Sequence, residues 1–504
     1  MKILLCYPPT TATYSKTRDA GLAPHMALLC IAGHLLSIFD DVDVRLLDGH
    51  HVPLGTIRRE IERFAPDMLG CSVDFTNYES AIELCRFSKE LDAQIATVLG
   101  SNHASNLYRE ILDCQPAVDY ISLADGETSW ESLVRIRRGE IDVSHGYNLA
   151  YRDRRGIVMQ TEEKRLDLAQ MAPVRYDLAD LEPYFQAQHV VFGKDFRMLQ
   201  FTSQRGCANR PLCVFCGRYT DGLRFRDPAV FAEEVVYWTE KLELTEVWDR
   251  SDSFVQSASW LKRFCDELDK RTDRFRTGTT TFKTYARADQ LLSRDVCDCL
   301  KRLNYRMVFI GYEAGDDRIL GNVGKHATCD VYRRATANVF ESGLDIDASF
   351  IVGLPGENRQ SLANHLSFVR ELADMGLTKI RVNRLLVLPG TPLYAAVMRL
   401  RPDLRGKDSI PQEELQQLLF KTDLYDLSDF GGDAHAFEEE LRQTAEAMIA
   451  AVLDRGGGAE GYGYGRGTDI VTGRQYRRRD QAIAGNEAAI PGIASSALPL
   501  RTSR

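Results

Sequence analysis

The sequence predicts an α/β protein in which a doubly wound parallel sheet is followed by a second parallel βα series, a helical region and a flexible tail. Three observations predict this. Short, nearly continuous apolar runs alternate with segments that carry apolar residues at helical spacing. The alternation is interrupted between residues 141 and 195 and then resumes. After Arg455, glycine-rich sequence without periodicity replaces it.

Size and charge limit the classes of function. With 504 residues, the chain is long enough for two or three domains. Its net charge of −9, with both signs interspersed, argues against a nucleic-acid partner. No segment approaches the roughly 20 apolar residues that span a bilayer, so we expect no membrane association. Twelve cysteines, mostly single within apolar segments, indicate reduced thiols and a cytoplasmic location.

Residues 1–140 are predicted to form the first domain. Five βα units make a doubly wound sheet, and such sheets bind ligands at the carboxyl ends of their strands. The sequences at those ends, YPPTTATYS, DFTN, GSNHAS and ADGETS, are small or polar, which also fits simple turns. The strand candidates are KILLC (2–6), VDVRLLD (42–48), DMLGCSV (67–73), IATVLG (95–100) and VDYISLA (118–124).

The second βα series is predicted over residues 196–395, after a linker at 141–195. Its six units predict a full or partial (β/α) barrel, with the chemistry at the carboxyl ends of the strands. Residues 396–455 are predicted to be helical, and residues 456–504 to be the flexible tail. The strand candidates lie at 197–204, 246–252, 275–282, 306–313, 345–356 and 379–390.

One segment of the barrel is dense in cysteine. RGCANRPLCVFCGR, residues 205–218, follows the first barrel strand and contains Cys207, Cys213 and Cys216. A structural zinc site needs four ligands, and this loop offers no further His or Cys. Three thiolates on a four-iron cluster leave one iron open to bind a substrate. The spacing favours an iron–sulfur site over two alternatives, a zinc site completed by a distant residue and three unligated thiols.

Several motifs occur in an order that resembles the radical S-adenosylmethionine (SAM) superfamily. The cysteine loop is followed by VWDRSDSF, ARADQL, GYEAGDDRIL, FIVGLPGEN and VLPGTPLY. The domain ahead of it is flavodoxin-like (Rossmann-like) and resembles the cobalamin-binding class of that superfamily. The segments that carry this second resemblance are APHMALLCIAGHL, PDMLGCSVDFTN, VLGSNHAS and VDYISLADGETSWESL.

The chain departs from the family at one point. The commonest family spacing is C-x3-C-x2-C, whereas this loop has C-x5-C-x2-C, enlarged by Asn209, Arg210 and Pro211. Because the cost of closing a loop grows slowly with its length, the enlargement is compatible with a cluster. The resemblance therefore still implies that Cys207, Cys213 and Cys216 hold a [4Fe–4S] cluster whose open iron binds SAM.

The resemblance also implies residues that bind SAM. Glu313 in GYEAG would accept hydrogen bonds from the ribose, Asp252 would meet the methionyl ammonium group and Arg287 its carboxylate. The alternative for these three is an ordinary ion pair at the barrel rim. Around the adenine, the resemblance implies contacts from Phe215 and from the backbone of Gly353, Leu354 and Pro355.

For cobalamin, the resemblance implies that Gly100, Ser101 and Gly126 allow the nucleotide tail to approach the sheet. His103 is expected to face the cofactor or to be structural. The loop after the first strand lacks the D-x-H-x-x-G motif, so we expect no histidine below the cobalt. DGHHVPLG imitates that motif after the second strand, and we interpret His50 and His51 as loop residues.

Together these cofactors imply a cobalamin-dependent radical SAM enzyme, most simply a methyltransferase that acts on an unactivated carbon through a 5′-deoxyadenosyl radical. The expected partners are a small-molecule or peptide substrate and an electron donor such as flavodoxin or ferredoxin. A cyclase or rearrangement enzyme without methyl transfer and a non-catalytic cobalamin sensor are alternatives. An RNA methylthiotransferase would need a second cysteine triplet, and the remaining cysteines are too dispersed.

Overall fold

A computed structural model of the chain describes residues 1–11, 21–193, 195–219, 222–305, 307–456 and 458–462. The predicted loop after the first strand and most of the predicted tail therefore lie outside the described residues. In the described part, a seven-stranded sheet precedes a curved parallel sheet with helices on its outside. This agrees with the predicted fold class.

The first domain is built on strands β1 to β5 in the order β2-β1-β3-β4-β5, all parallel. This is the flavodoxin-like order, whose ligand site lies where the order reverses, between β1 and β3. The strands are β1 Lys2–Tyr7, β2 Asp43–Asp48, β3 Met68–Ser72, β4 Ala96–Gly100 and β5 Tyr120–Ser122. The helices are α1 Met26–Ile38, α2 Leu54–Phe64, α3 Tyr78–Leu91, α4 Asn102–Asn106, α5 Tyr108–Cys114 and α6 Gly126–Arg137.

Both faces of this sheet are covered, as its apolar strands predict. Ile3 and Leu5 of β1 pack into the cluster that contains α1 and α6. Leu4 and Cys6 point to the opposite cluster, which contains α2 and α3. Because successive residues of a strand face opposite sides, one continuous apolar run supplies both cores.

The predicted linker is more ordered than expected. β6 (Leu149–Arg152) pairs antiparallel with β5, and β7 (Val158–Gln160) pairs antiparallel with β6. The first sheet therefore extends beyond residue 140, which corrects that boundary. Helix α7 (Glu182–Phe192) then leads into the second domain. The sequence concealed the hairpin because both strands are short and β7 is largely exposed.

The second domain contains the six predicted barrel strands in chain order. Together with β13 and β17, which were not predicted, they form two hydrogen-bonded groups, β12-β11-β8 and β13-β14-β15-β16-β17, which join at Thr284 between β12 and β13. A separate two-stranded ribbon, β9-β10, stands at the end of β8. The strands are β8 Met198–Phe201, β9 Gln204–Arg205, β10 Arg224–Phe225, β11 Glu246–Asp249, β12 Thr281–Lys283, β13 Tyr285–Ala286, β14 Met307–Glu313, β15 Asp345–Val352, β16 Lys379–Arg384 and β17 Gly458–Tyr462.

Helices cover the outside of this partial barrel. The first of them, α8, shows the expected start signals, since Asp227 caps the backbone N–H groups of Ala229 and Val230 and Pro228 occupies the first turn. The helices are α8 Pro228–Lys241, α9 Ala258–Arg271, α10 Arg294–Arg302, α11 Asp317–Asn322, α12 Cys329–Glu341 and α13 Arg359–Asp374. The predicted helical region contributes α14 Pro392–Leu400, α15 Gln412–Leu419 and α16 Ala434–Leu453.

The predicted tail begins too early. Residues Gly458–Tyr462 form β17, which pairs in parallel with Lys379–Asn383 of β16. The glycines at 456–458 suggested an unstructured segment, but Gly458 is the first residue of an edge strand. The barrel sheet thus includes five residues that the sequence assigned to the tail.

Candidate functional site

The cysteine loop is closed at its base by the β9-β10 ribbon. Arg205 lies opposite Arg224, and Gln204 lies opposite Phe225. Gly206 begins the loop with a φ of 98°, and a Cβ atom there would lie 1.8 Å from the carbonyl oxygen of Gly222. Only glycine permits this close approach of the two arms of the loop, which are the segment after β9 and the segment before β10. The local sequence therefore fixes where Cys207 leaves the ribbon.

All three cysteines are free and half-buried. Burial raises the pKa of the Cys213 thiol to about 11, and the nearby cation of Lys325 opposes this shift. Among the residues that the structure describes, no three His, Cys, Asp or Glu side chains are close enough to hold a single metal ion. Thiolates on three different irons of a cubane lie farther apart than ligands of one ion. The assignment of the three cysteines to a cluster stays a prediction.

Asp252, predicted to bind the methionyl ammonium group, faces the start of this loop. Its Oδ2 accepts a hydrogen bond from the backbone N–H of Gly206 at 2.9 Å. It also forms an ion pair with Arg218, two residues after Cys216. The carboxylate therefore ties both ends of the loop together. Arg218 was not predicted as a site residue, although its position two residues after the last cysteine was a usable signal.

Glu313 and Arg287 are also paired. Glu313 ends β14 with a φ of 63° and accepts from Lys325 Nζ at 2.8 Å. Arg287 donates to Asn209 Oδ1 at 2.8 Å and to Asp289 at 3.0 Å. The rim ion pair considered as an alternative for these residues is thus present in both cases. Each group keeps further hydrogen-bonding capacity, so the assignments to SAM stay predictions.

The residues predicted to contact adenine come from two segments, the cysteine loop and the turn after β15. Phe215 is partly buried and packs against the barrel core. Gly353 has a φ of 89°, and its carbonyl accepts from Tyr425 Oη at 2.7 Å. A Cβ atom there would contact the apolar side chains of Leu385, Phe420 and Leu441. Leu354 is fully buried, and Pro355 accepts from Asn322 at 3.2 Å. Their contact with adenine likewise stays a prediction.

A cavity of about 870 Å³, here called the interdomain cavity, lies between the first sheet and the barrel. It is lined by all four residues predicted to contact cobalamin, Gly100, Ser101, His103 and Gly126. On the barrel side it is lined by Arg218 and Asp252 from the cysteine loop and its partner. Of the residues predicted to hold the cluster or SAM, Asp252 lines this cavity, whereas Cys207, Cys213, Cys216, Glu313 and Arg287 are not in its wall. The cavity therefore reaches the cysteine loop through Asp252 and Arg218.

Buried ring nitrogens in the wall of the interdomain cavity lack partners. His25 Nδ1 and His103 Nε2 make no hydrogen bond. Burial lowers the pKa of both rings, that of His103 to about 4, so both are neutral near pH 7. A cavity of this size whose wall carries buried ring nitrogens without partners fits a large cofactor rich in amide groups, as cobalamin is. His25 ends the β1–α1 loop and was missed by the sequence reasoning.

The two histidines interpreted as loop residues differ from one another. His50 lies in a loop, as expected. Its ring also stacks on Tyr7, with the ring centroids 4.7 Å apart, and its Nδ1 lies 2.9 Å from Asp48 Oδ1. Tyr7 stacks on His25 with its other face at 4.9 Å. All three rings line the interdomain cavity. His51 is turned away and contacts the carbonyl of Gly21 at 2.8 Å.

Four charged side chains, here called the interdomain clamp, connect the β5–α6 loop to the β9-β10 ribbon. Arg205 donates to Asp125 at 2.9 Å and to Glu127 at 2.5 Å. Arg224 donates to Asp125 at 2.6 Å. The carboxylates are only 4% and 3% exposed. The first domain thus holds both arms of the cysteine loop directly.

Two family models match the chain. The B12 binding domain matches residues 16–134, and the radical SAM superfamily matches residues 201–369. The chain belongs to the cobalamin-binding radical SAM enzymes. The two matched regions coincide with the flavodoxin-like sheet and the partial barrel, so the predicted family and the fold class are confirmed.

Relatives of this radical SAM enzyme carry two kinds of name. An uncharacterized methyltransferase, PH0819 of Pyrococcus horikoshii, is 23% identical over 78% of this chain and 82% of its own. An anaerobic magnesium-protoporphyrin IX monomethyl ester cyclase of Synechocystis sp. is 26% identical over 66% of this chain. The match covers 65% of the cyclase, slightly less than two thirds of its length.

Solved structures share the fold. The radical SAM methyltransferase TsrM of Kitasatospora setae, solved with cobalamin and a [4Fe–4S] cluster, superimposes with a TM-score of 0.65. The two sequences are 14% identical, and the superposition covers 97% of this chain and 99% of TsrM. OxsB, solved with aqua-cobalamin and SAM, gives a TM-score of 0.63 at 17% identity over 75% of this chain. The chain spans about half, 53%, of the length of OxsB.

The cofactors of this radical SAM enzyme are cobalamin, SAM and a [4Fe–4S] cluster, as predicted. Within the described ranges, the structure contains no helix with the length and apolar character that a membrane crossing requires.

Proposed function

We propose that this chain is a methyltransferase that places a methyl group on an unactivated carbon of a small molecule or peptide. The observation that carries the proposal is the shared interdomain cavity. His103 and Gly126 of the cobalamin domain line the same space as Asp252 and Arg218 beside the cysteine loop. A methyl donor and a site of hydrogen removal must reach one carbon atom, and a common cavity meets that requirement.

Each cofactor has residues that fit it. Cys207, Cys213 and Cys216 would hold the cluster, and Glu313, Asp252 and Arg287 would bind SAM on its open iron. Gly100, Ser101, His103 and Gly126 would receive the cobalamin tail. When bound, SAM on the cluster supplies a 5′-deoxyadenosyl radical that removes hydrogen, and methylcobalamin supplies the methyl group.

The side chains of this enzyme bind and orient rather than transfer protons. Asp252 fixes the start of the cysteine loop through the N–H of Gly206. The interdomain clamp keeps that loop beside the cobalamin domain. His25 and His103, both neutral through their lowered pKa values, offer uncharged hydrogen-bonding groups to the cofactor amides. A flavodoxin or ferredoxin is the expected class of electron donor.

The names of relatives support methylation and also one rival. PH0819 and TsrM are both named methyltransferases. The Synechocystis relative is named a cyclase, which favours a second candidate, ring formation without methyl transfer. The two candidates differ in how they use SAM. Methylation consumes it twice, once for the cobalt and once for the radical, whereas cyclisation needs only the radical.

The test uses enzyme reconstituted with iron, sulfide and cobalamin, dithionite as reductant, and SAM labelled in its methyl group. Without substrate, the proposal predicts one equivalent of S-adenosylhomocysteine per bound cobalamin as the label moves to cobalt. With a small-molecule extract from the source organism, it predicts 5′-deoxyadenosine and carbon-bound label together. Substrate turnover that releases 5′-deoxyadenosine without S-adenosylhomocysteine would establish the cyclase candidate instead.

A further inference from the structure

The enlarged cysteine loop contains one side chain whose burial its position does not explain. Asn209 is the second residue after Cys207 and lies in the lengthened part of the loop. It is only 3% exposed, although both Cys207 and Cys213 are half-buried. A buried amide must satisfy its donors and its acceptor within the protein. Its partners therefore indicate what the enlargement accomplishes.

Asn209 donates to two of the three cysteine sulfurs. Its backbone N–H lies 3.4 Å from Cys207 Sγ, and its side-chain Nδ2 lies 3.4 Å from Cys213 Sγ. Nδ2 also donates to the carbonyls of Gly324 at 2.8 Å and Pro211 at 3.0 Å. Two hydrogens serve three acceptors, so one N–H group is shared. A thiolate bound to iron is a stronger acceptor than the thiol.

Arg287 determines which way this amide points. Its Nη1 donates to Asn209 Oδ1 at 2.8 Å. A guanidinium group has donors only, so the atom that faces it must be the oxygen. The NH₂ group is therefore directed at Cys213 and Gly324. Arg287 was expected to meet the SAM carboxylate, and here one of its nitrogens holds the loop instead.

We propose that Asn209 is a positioning residue that donates hydrogen bonds to two cluster thiolates and thereby raises the reduction potential of the cluster. This rests on the [4Fe–4S] cluster of the proposed function. Reduction adds negative charge to the cluster and its sulfurs, and N–H groups aimed at those sulfurs stabilise the reduced state. The two additional residues between the first two cysteines supply the length that brings this amide to both sulfurs.

The test is a redox titration of the reconstituted full-length protein and of two variants. Asn209→Ala removes the amide, and Asn209→Asp keeps its shape and its contact with Arg287 but replaces the NH₂ donor with oxygen. Both variants should lower the midpoint potential, and Asn209→Asp should lower it more because it adds negative charge. The matched control is Asn338→Ala, since Asn338 donates to a carbonyl and to the remote sulfur of Cys297 at 3.6 Å.

A second measurement avoids variants that fail to hold the cluster. Wild-type protein labelled with ¹⁵N in its asparagine side chains should show a ¹⁵N hyperfine coupling to the reduced cluster, and Asn338→Ala should retain it. Wild-type protein with a cluster but no such coupling, or variants with an unchanged or higher potential, would overturn the role of Asn209 alone. Wild-type protein without about four irons would overturn the cluster itself, and the proposed function with it.

Discussion

Arg205 and Glu127 form an ion pair across the boundary between the cobalamin domain and the barrel, with Nη2 and Oε1 2.5 Å apart. Arg205 lies two residues before Cys207, and Glu127 lies in the first turn of α6. One contact thus connects the B12 binding domain to the loop that is predicted to hold the cluster. Its partner Asp125 is shared with Arg224 on the opposite arm of that loop.

Removing the charge of Glu127 should destabilise the protein. In Glu127→Gln, Arg205 stays buried with one carboxylate fewer, and we expect a loss of about 2–4 kcal/mol in the free energy of unfolding. Urea denaturation measures it. The control is Glu131→Gln on the same helix, whose carboxylate is 31% exposed and pairs with Arg135, and it should cost less than about 1 kcal/mol. Equal effects in the two variants would contradict the interdomain clamp.

The cluster should depend on Cys213. We expect wild-type protein reconstituted without oxygen to bind about four irons and four sulfides, and Cys213→Ala to lose the cluster and SAM cleavage. Iron and sulfide analysis with the visible absorption spectrum measures this. Cys114→Ala is the control, because Cys114 is exposed and lies in the first domain. A variant at Cys213 that retains its iron, or wild-type protein that holds zinc, would refute the assignment.

Glu357 should give the protein a pH-dependent stability. Burial raises the pKa of this carboxyl to about 8, although the N–H of Gly353 donates to it at 2.8 Å. In the unfolded chain its pKa is about 4.3, so between these values the folded state binds the extra proton and stability falls as pH rises. The neutral Glu357→Gln variant lacks this contribution.

Relative to wild type, the Glu357→Gln variant should therefore gain stability from pH 5 to pH 8, by up to about 4 kcal/mol. His365, whose Nδ1 lies 3.8 Å from Glu357 Oε1 and whose pKa burial lowers to about 4, contributes an opposing trend in both proteins. Denaturation at several pH values measures the difference. Glu371→Gln, an exposed partner of Arg333, should show no such trend. A constant difference between wild type and Glu357→Gln would show that Glu357 is ionised in the fold.

The position of a C-terminal truncation should matter. A chain that ends after Arg455 loses β17 and exposes the edge of β16, so we expect a loss of about 2–4 kcal/mol from the missing backbone hydrogen bonds. A chain that ends after Tyr462 keeps the strand and should be close to wild type, because the later sequence has no periodic apolar face. Thermal melts compare them. Identical melting temperatures would mean that β17 adds nothing to stability.

The sequence predicted the long elements well because their signals are strong. The five parallel strands of the first sheet and five of the six predicted for the barrel lie where they were predicted. The sixth, predicted at 275–282, is shorter, since β12 covers only Thr281–Lys283 and the residues before it form a turn. The hairpin of β6 and β7 and the edge strand β17 were missed, since strands of three to five residues carry little periodicity. Their stability depends on a neighbouring strand rather than on local sequence.

The sequence indicated which residues could form the candidate site, but not the ion pairs and hydrogen bonds that those residues make. Cys207, Cys213 and Cys216 were evident from spacing, and Glu313, Asp252 and Arg287 from motifs. Their partners Lys325, Arg218 and Asn209 were not, because an ion pair or a hydrogen bond between distant segments has no signature in a single sequence. The interdomain clamp was missed for the same reason, since Glu127 and Arg205 are 78 residues apart.

The interdomain clamp restricts how the cobalamin can be used. A domain that carries its cofactor between separate sites must move on a flexible linker. Here Asp125 and Glu127 hold the domain to Arg205, two residues before Cys207. On the proposed function, the cobalt then receives a new methyl group in the same interdomain cavity in which it methylates the substrate. The substrate and the SAM that methylates the cobalt then compete for the interdomain cavity and must bind in turn. Excess substrate should therefore inhibit the enzyme.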